Sequence, residues 1–98
     1  MTSLPELEAV EIAQKLIRFD TSNFGDGSGP GEREAAEYVA GALSEVGWEP
    51  MIVESEPRRA TVLLRIPGRE PQRGALVLHG HSDVVPANAP DWTVDPFG

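Results

Sequence analysis

The sequence predicts an α/β fold in which two helices come first and a small sheet follows, and three observations carry that expectation. Apolar residues recur at helical spacing over residues 9–17 and again over 36–46. Two short aliphatic segments, 50–54 (PMIVE) and 60–66 (ATVLLRI), read as strands. A third run, 75–78 (ALVL), has no polar alternation and reads as a strand buried on both faces, the pattern of an open α/β sheet covered by helices.

The first helix opens on Ser3 and Glu6, spaced as a capping box whose side chains satisfy backbone N–H groups that the first turn leaves unpaired. Pro5 suits that turn. Ala9, Ile12, Ala13, Leu16 and Ile17 form one stripe, with Glu8, Glu11, Lys15 and Arg18 largely off it, so a packing helix is expected with its charges in solvent. Residues 20–31 (DTSNFGDGSGPG) hold four glycines and a proline and read as a flexible connection. They are no phosphate loop, because no strand precedes them and neither Gly-Lys-Ser/Thr nor a Gly-x-Gly-x-x-Gly in register with a helix start is present.

In the second helix Glu32 and Glu34 suit the positive end. Ala36, Val39, Ala40, Leu43 and Val46 form the apolar face, whose alanines permit close approach to a sheet, and Gly47 supplies a left-handed stop. The linkers 55–59 and 67–73 are too short for a parallel crossover of about a dozen residues, so neighbouring strands should pair antiparallel. Val62, Leu64 and Ile66 share one face, with Thr61, Leu63 and Arg65 on the other. Five of the eight basic residues lie at 58–73 without interleaved aromatics, which reads as a solvated edge. Beyond residue 83, Pro86, Pro90 and Pro96 exclude a regular helix or central strand, and Trp92 and Phe97 are the expected anchors.

Ninety-eight residues bound the chain to one small domain at most. Apolar content of 40% with 24% charged residues is ordinary for a globular protein, and a net charge of −8 disfavours nucleic acid and acidic membrane surfaces as partners. Without cysteine, any zinc must be held by nitrogen and oxygen. No segment has signal-peptide form or membrane-spanning length, which makes the cytoplasm the default location.

Chemistry is expected where the third strand stops, at His79, Gly80, His81, Ser82 and Asp83, because ligands of open α/β sheets bind outside the carboxyl ends of strands. In extended backbone His81 and Asp83 point the same way, so a metal on the imidazole would lie close to the carboxylate. A carboxylate that hydrogen-bonds the other ring nitrogen fixes the tautomer of a ligating histidine. A bare His-x-Asp also arises by chance, as a solvated strand end.

The wider context is more specific. His79-Gly80-His81-Ser82-Asp83-Val84-Val85-Pro86, followed by Asp91-Trp92 and Asp95-Pro96-Phe97, resembles the signature of the aminoacylase, acetylornithine deacetylase, succinyl-diaminopimelate desuccinylase and glutamate carboxypeptidase family. The resemblance covers the chain from end to end. It implies the amino-terminal part of a three-layer α/β/α, zinc-exopeptidase-like catalytic domain with a mixed sheet, the remaining catalytic segments and a dimerisation domain lying elsewhere. It further implies two zinc ions, hydrolysis of amide bonds in acylated amino acids or small peptides, and a homodimeric parent. His81 would be a zinc ligand and Asp83 the residue that orients it, while His79 matches a variable position and carries no role.

Taken alone, the 98 residues should be inert, bind zinc weakly and self-associate through an unpaired strand edge. Two other classes fit parts of the pattern. An α/β serine hydrolase would use Ser82 as nucleophile but requires a Gly-x-Ser-x-Gly elbow that is absent. A non-enzymatic acidic interaction domain would leave His81 and Asp83 purely structural.

Overall fold

The computed structural model describes residues 4–98. Its elements are α1 (Pro5–Arg18), α2 (Arg33–Glu45), β1 (Met51–Glu56), β2 (Arg59–Leu63) and a single 3₁₀ turn, Ala89–Asp91. Pro5 sits in the first turn of α1, and Leu4 holds the N-cap position, its carbonyl accepting from Leu7 N and Glu8 N at 3.0 Å each. The capping box involves Ser3, which lies outside the described residues.

The end of α2 follows the glycine rule. Gly47 adopts φ 91°, its N–H donates to Ser44 O (3.0 Å), and Trp48 N donates to Leu43 O (3.2 Å). This is the paired arrangement of a Schellman motif, which satisfies carbonyls the last turn would otherwise leave open. Inside α2, Ala35 and Ala36 are buried, and Val39, Ala40 and Leu43 are half-buried towards the hairpin.

The strands pair antiparallel, as the short linker requires, with Met51 opposite Leu63 and Val53 opposite Thr61. A bulge between Glu54 and Glu56 leads into a tight turn at Pro57 and Arg58, the latter at φ 70°. Glu54 Oε1 accepts from Arg58 N at 2.6 Å, which offsets the left-handed conformation. The turn docks on the entry to α2, where Glu32 N donates to Arg58 O (2.9 Å). Gly31, at φ 81°, lies so close to Arg58 that a Cβ would overlap it. Glycine is required here for both conformation and space. Val62 and Leu64 turn inward while Thr61, Leu63 and Arg65 face solvent, and with Ala60 they complete a small core against α2; Ile66, expected on the inward face, is 58% exposed.

Four expectations need correction. The third strand does not join the sheet: Leu76, Val77 and Leu78 are 86%, 78% and 89% exposed, and the sheet has two strands. An apolar run has strand propensity but becomes a strand only when another backbone takes its N–H and C=O groups, and β2 ends at Leu63 without extending to it. The three-layer mixed sheet is therefore present only as α2 on an antiparallel hairpin.

Secondly, α1 buries no residue. Of its stripe, Ile12 and Leu16 are only half-buried and Ala9, Ala13 and Ile17 are exposed, because among the described residues no sheet face covers it. Its carboxyl end is tethered instead by aromatic contact, with Phe19 and Tyr38 ring centroids 5.8 Å apart and Lys15 Nζ 5.6 Å from the Tyr38 ring. Thirdly, Trp92 is mostly exposed and anchors little, whereas Phe97 is half-buried. The radius of gyration, 16.0 Å against about 12.6 Å for a compact domain of this length, reflects these uncovered elements.

The fourth correction concerns residues 20–23, which are not a free linker, and it defines the site.

Candidate metal centre

Asp20 begins the site, one residue past the C-cap of α1. Its Oδ1 accepts from Ser22 N (3.0 Å) and Ser22 Oγ (2.6 Å), an Asx turn that redirects the chain into extended backbone. That backbone runs parallel to residues 82–84, with Ser22 opposite Val84. Val84 N donates to Thr21 O (3.1 Å), Asn23 N donates to Val84 O (2.7 Å), and Thr21 Oγ1 donates to Ser82 O (2.8 Å). Thr21 and Ser22 are each only 3% exposed. Both hydroxyls are hydrogen-bonded, which removes the cost of burying them.

This clamp fixes the His81-Ser82-Asp83 arm. His81 Nδ1 lies 3.2 Å from Asp83 Oδ1 and 2.8 Å from Asp83 O, so the two residues share a side as alternation along an extended backbone requires. The other carboxylate oxygen, Oδ2, accepts from Asn23 Nδ2 at 2.8 Å and has Arg59 Nη2 at 3.9 Å. Arg59 Nε in turn lies 3.4 Å from Glu32 Oε2, a buried oxygen with no hydrogen bond of its own. The hydrogen bond from Asn23 holds the Asp83 carboxyl below the usual carboxylate range, aided by the charges of His81 and Arg59 and opposed by desolvation.

His81 and Asp83 are thus brought together, and His79 is not. With Nδ1 turned to Asp83, Nε2 of the exposed His81 ring is the nitrogen free for a ligand. The pair borders a shallow depression of about 360 Å³, lined also by Asn23, Phe24 and Val85. Ser82 falls on the opposite side by alternation, and its backbone carbonyl accepts from Thr21 Oγ1. Among the described residues no three His, Cys, Asp or Glu side chains gather around one point. The donor set fits one arm of a zinc site, a neutral imidazole with an orienting carboxylate, and does not amount to a whole one.

Sequence reasoning missed Thr21, Asn23 and Arg59. Asp20-x-Ser22 carried a local signal for an Asx turn, but nothing near it indicated a partner 61 residues away. Arg59 read as part of a solvated edge, yet it is half-buried and turned to two carboxylates.

No family model and no solved structure matches the chain. Curated proteins do. The chain is 31% identical over 97 residues to aminoacylase-1 of Dictyostelium discoideum, covering 99% of this chain and 22% of that protein. It is 32% identical over 93 residues to succinyl-diaminopimelate desuccinylase 2 of a Ruegeria species, and 32% identical over 88 residues to acetylornithine deacetylase of Vibrio atlanticus. The chain spans about a fifth, 22%, of the length of each of these relatives. Along nearly all of its own length, then, the chain is homologous to an aminoacylase, a succinyl-diaminopimelate desuccinylase and an acetylornithine deacetylase.

Proposed function

We propose that these 98 residues form the amino-terminal part of the catalytic domain of a zinc-dependent hydrolase, and that they supply one metal-binding arm to it. The substrate class is an acylated amino acid or small peptide, cleaved at its amide bond by an activated water. The observation that carries this reading is the His81 ring, held through Nδ1 by Asp83 with Nε2 left free, in a chain homologous to deacylating enzymes.

His81 is the residue that would hold zinc here, and Asp83 keeps the imidazole in one tautomer and raises its basicity. When bound, the metal supplies a lowered pKa for water and polarisation of the scissile carbonyl. The Thr21–Asn23 clamp keeps the arm from swinging, so the donor is presented in a fixed place. On this reading the remaining ligands, and the glutamate that would take the water's proton, are supplied from outside these 98 residues.

The test is zinc content and chelator-sensitive deacylation in the holoenzyme that carries this chain. His81→Ala should lose at least about 10- to 100-fold in metal affinity and activity, and His79→Ala should keep both. Equal losses in the two variants, or turnover indifferent to chelation, would sink the assignment.

A further inference from the structure

We propose that Asn23 is the positioning residue of this site: its amino group holds one oxygen of Asp83 so that the other is presented to His81 Nδ1, which locks the imidazole as the Nδ1–H tautomer. That the freed Nε2 serves a divalent metal rests on the zinc reading above; the positioning itself does not.

The orientation of the Asn23 amide follows from its partners. Gly25 N donates to one end at 2.9 Å, and a backbone N–H can only donate, so that end is the oxygen Oδ1. The amino group is then the end that meets Asp83 Oδ2 at 2.8 Å. Asn23 N is bonded to Val84 O as well, so the residue is anchored at its backbone and at its side-chain oxygen before it touches the carboxylate. A donor held twice is a rigid donor.

The carboxylate needs one. The χ2 torsion of aspartate is broad, so nothing intrinsic fixes the rotation of the carboxylate plane towards the histidine. Asn23 fixes it by holding one of the two oxygens. Arg59 stands at 3.9 Å from the same oxygen, beyond hydrogen-bond range, and adds charge without direction. Oδ1 is thereby left 3.2 Å from His81 Nδ1, and a neutral imidazole facing two acceptors, Asp83 Oδ1 and Asp83 O, must carry its proton on Nδ1.

The two side-chain bonds of Asn23 can be separated. Asn23→Asp keeps the shape, the backbone N–H and the oxygen that accepts from Gly25, while it removes the donor to Asp83 and sets a second negative charge beside it. Asn23→Ala removes both side-chain bonds without adding charge. The readout is the pair of ring ¹⁵N shifts of His81 in the metal-free chain at about pH 8.5. The unsubstituted chain should show a protonated Nδ1 and an unprotonated Nε2. Both variants should show averaged values for the two nitrogens, with His79 unchanged as the internal control.

Averaged His81 shifts in the unsubstituted chain overturn the proposal without recourse to any variant. A protonated Nδ1 that persists in both variants, with the Thr21 and Val84 amide shifts native, overturns it too. Titration with zinc chloride then separates the two ideas. Affinity about 10-fold weaker in the variants supports both. A tautomer change with zinc affinity unaltered keeps the positioning role and removes the metal from it.

Discussion

Replacing Gly31 with alanine should unlatch the hairpin from α2. Alanine at φ 81° costs about 1–2 kcal/mol in conformation alone. Its Cβ would also overlap Arg58 O and lie 2.6 Å from Arg58 Cβ and 2.9 Å from Arg58 C. These are mostly backbone atoms of a tight turn, which cannot rotate aside, and overpacking of this kind costs about 1–3 kcal/mol. The turn must withdraw, which loses the Glu32 N to Arg58 O hydrogen bond and about 0.5–1.5 kcal/mol more. The sum is about 2.5–6.5 kcal/mol. Gly27, at φ 85° with open space around it, is the control, because alanine there meets only the conformational cost of about 1–2 kcal/mol. In urea titrations the difference of about 2 kcal/mol or more should place the Gly31→Ala midpoint about 1–2 M below that of Gly27→Ala. Coincident midpoints would refute the packing argument. Because Arg59 adjoins the displaced turn, the Asp83 environment should shift in the same variant.

Two further outcomes are expected. In the metal-free chain, the depressed Asp83 carboxyl contributes stability that is present above its unfolded value of about 3.9 and lost as pH falls through the lower folded value. Val84 amide protection should therefore decline below about pH 4, and protection unchanged down to about pH 2 would contradict this. On its own the chain should bind zinc only weakly and self-associate through residues 76–78, whose apolar side chains are exposed and whose backbone joins no strand among the described residues. Stoichiometric zinc retained against a mild chelator, or a monodisperse monomer by sedimentation at high concentration, would count against it.

What could be read in the sequence was what short stretches decide for themselves. The stripe from Ala36 to Val46 and the stop at Gly47 marked α2, although Val46 itself is exposed, and linker length alone required the antiparallel pairing of β1 with β2. His81 and Asp83 were legible because two-residue spacing in extended chain fixes their common side. Residues 76–78 and the α1 stripe misled for one reason: periodicity reports what a segment would bury, not whether a neighbour exists to bury it. The Asp20–Asn23 segment misled for the opposite reason. Its Asp, Ser and Asn are turn formers, so their composition indicated a loop, and only the fold shows them spent on ordering a distant arm.

The clamp between Thr21 and Ser82 closes a loop of 61 residues. Bringing the ends of such a loop together costs about 3.6 kcal/mol in chain entropy before any constant term. The helices and the hairpin form from contacts a few residues apart and can appear within microseconds. The long closure gains nothing until Asp20 has turned the chain and α2 has met the hairpin, so it comes last. Folding therefore ends at the site: the geometry around His81 is assembled on an already built scaffold, and pulse-labelled exchange should find the Asn23 and Val84 amides among the last to gain protection.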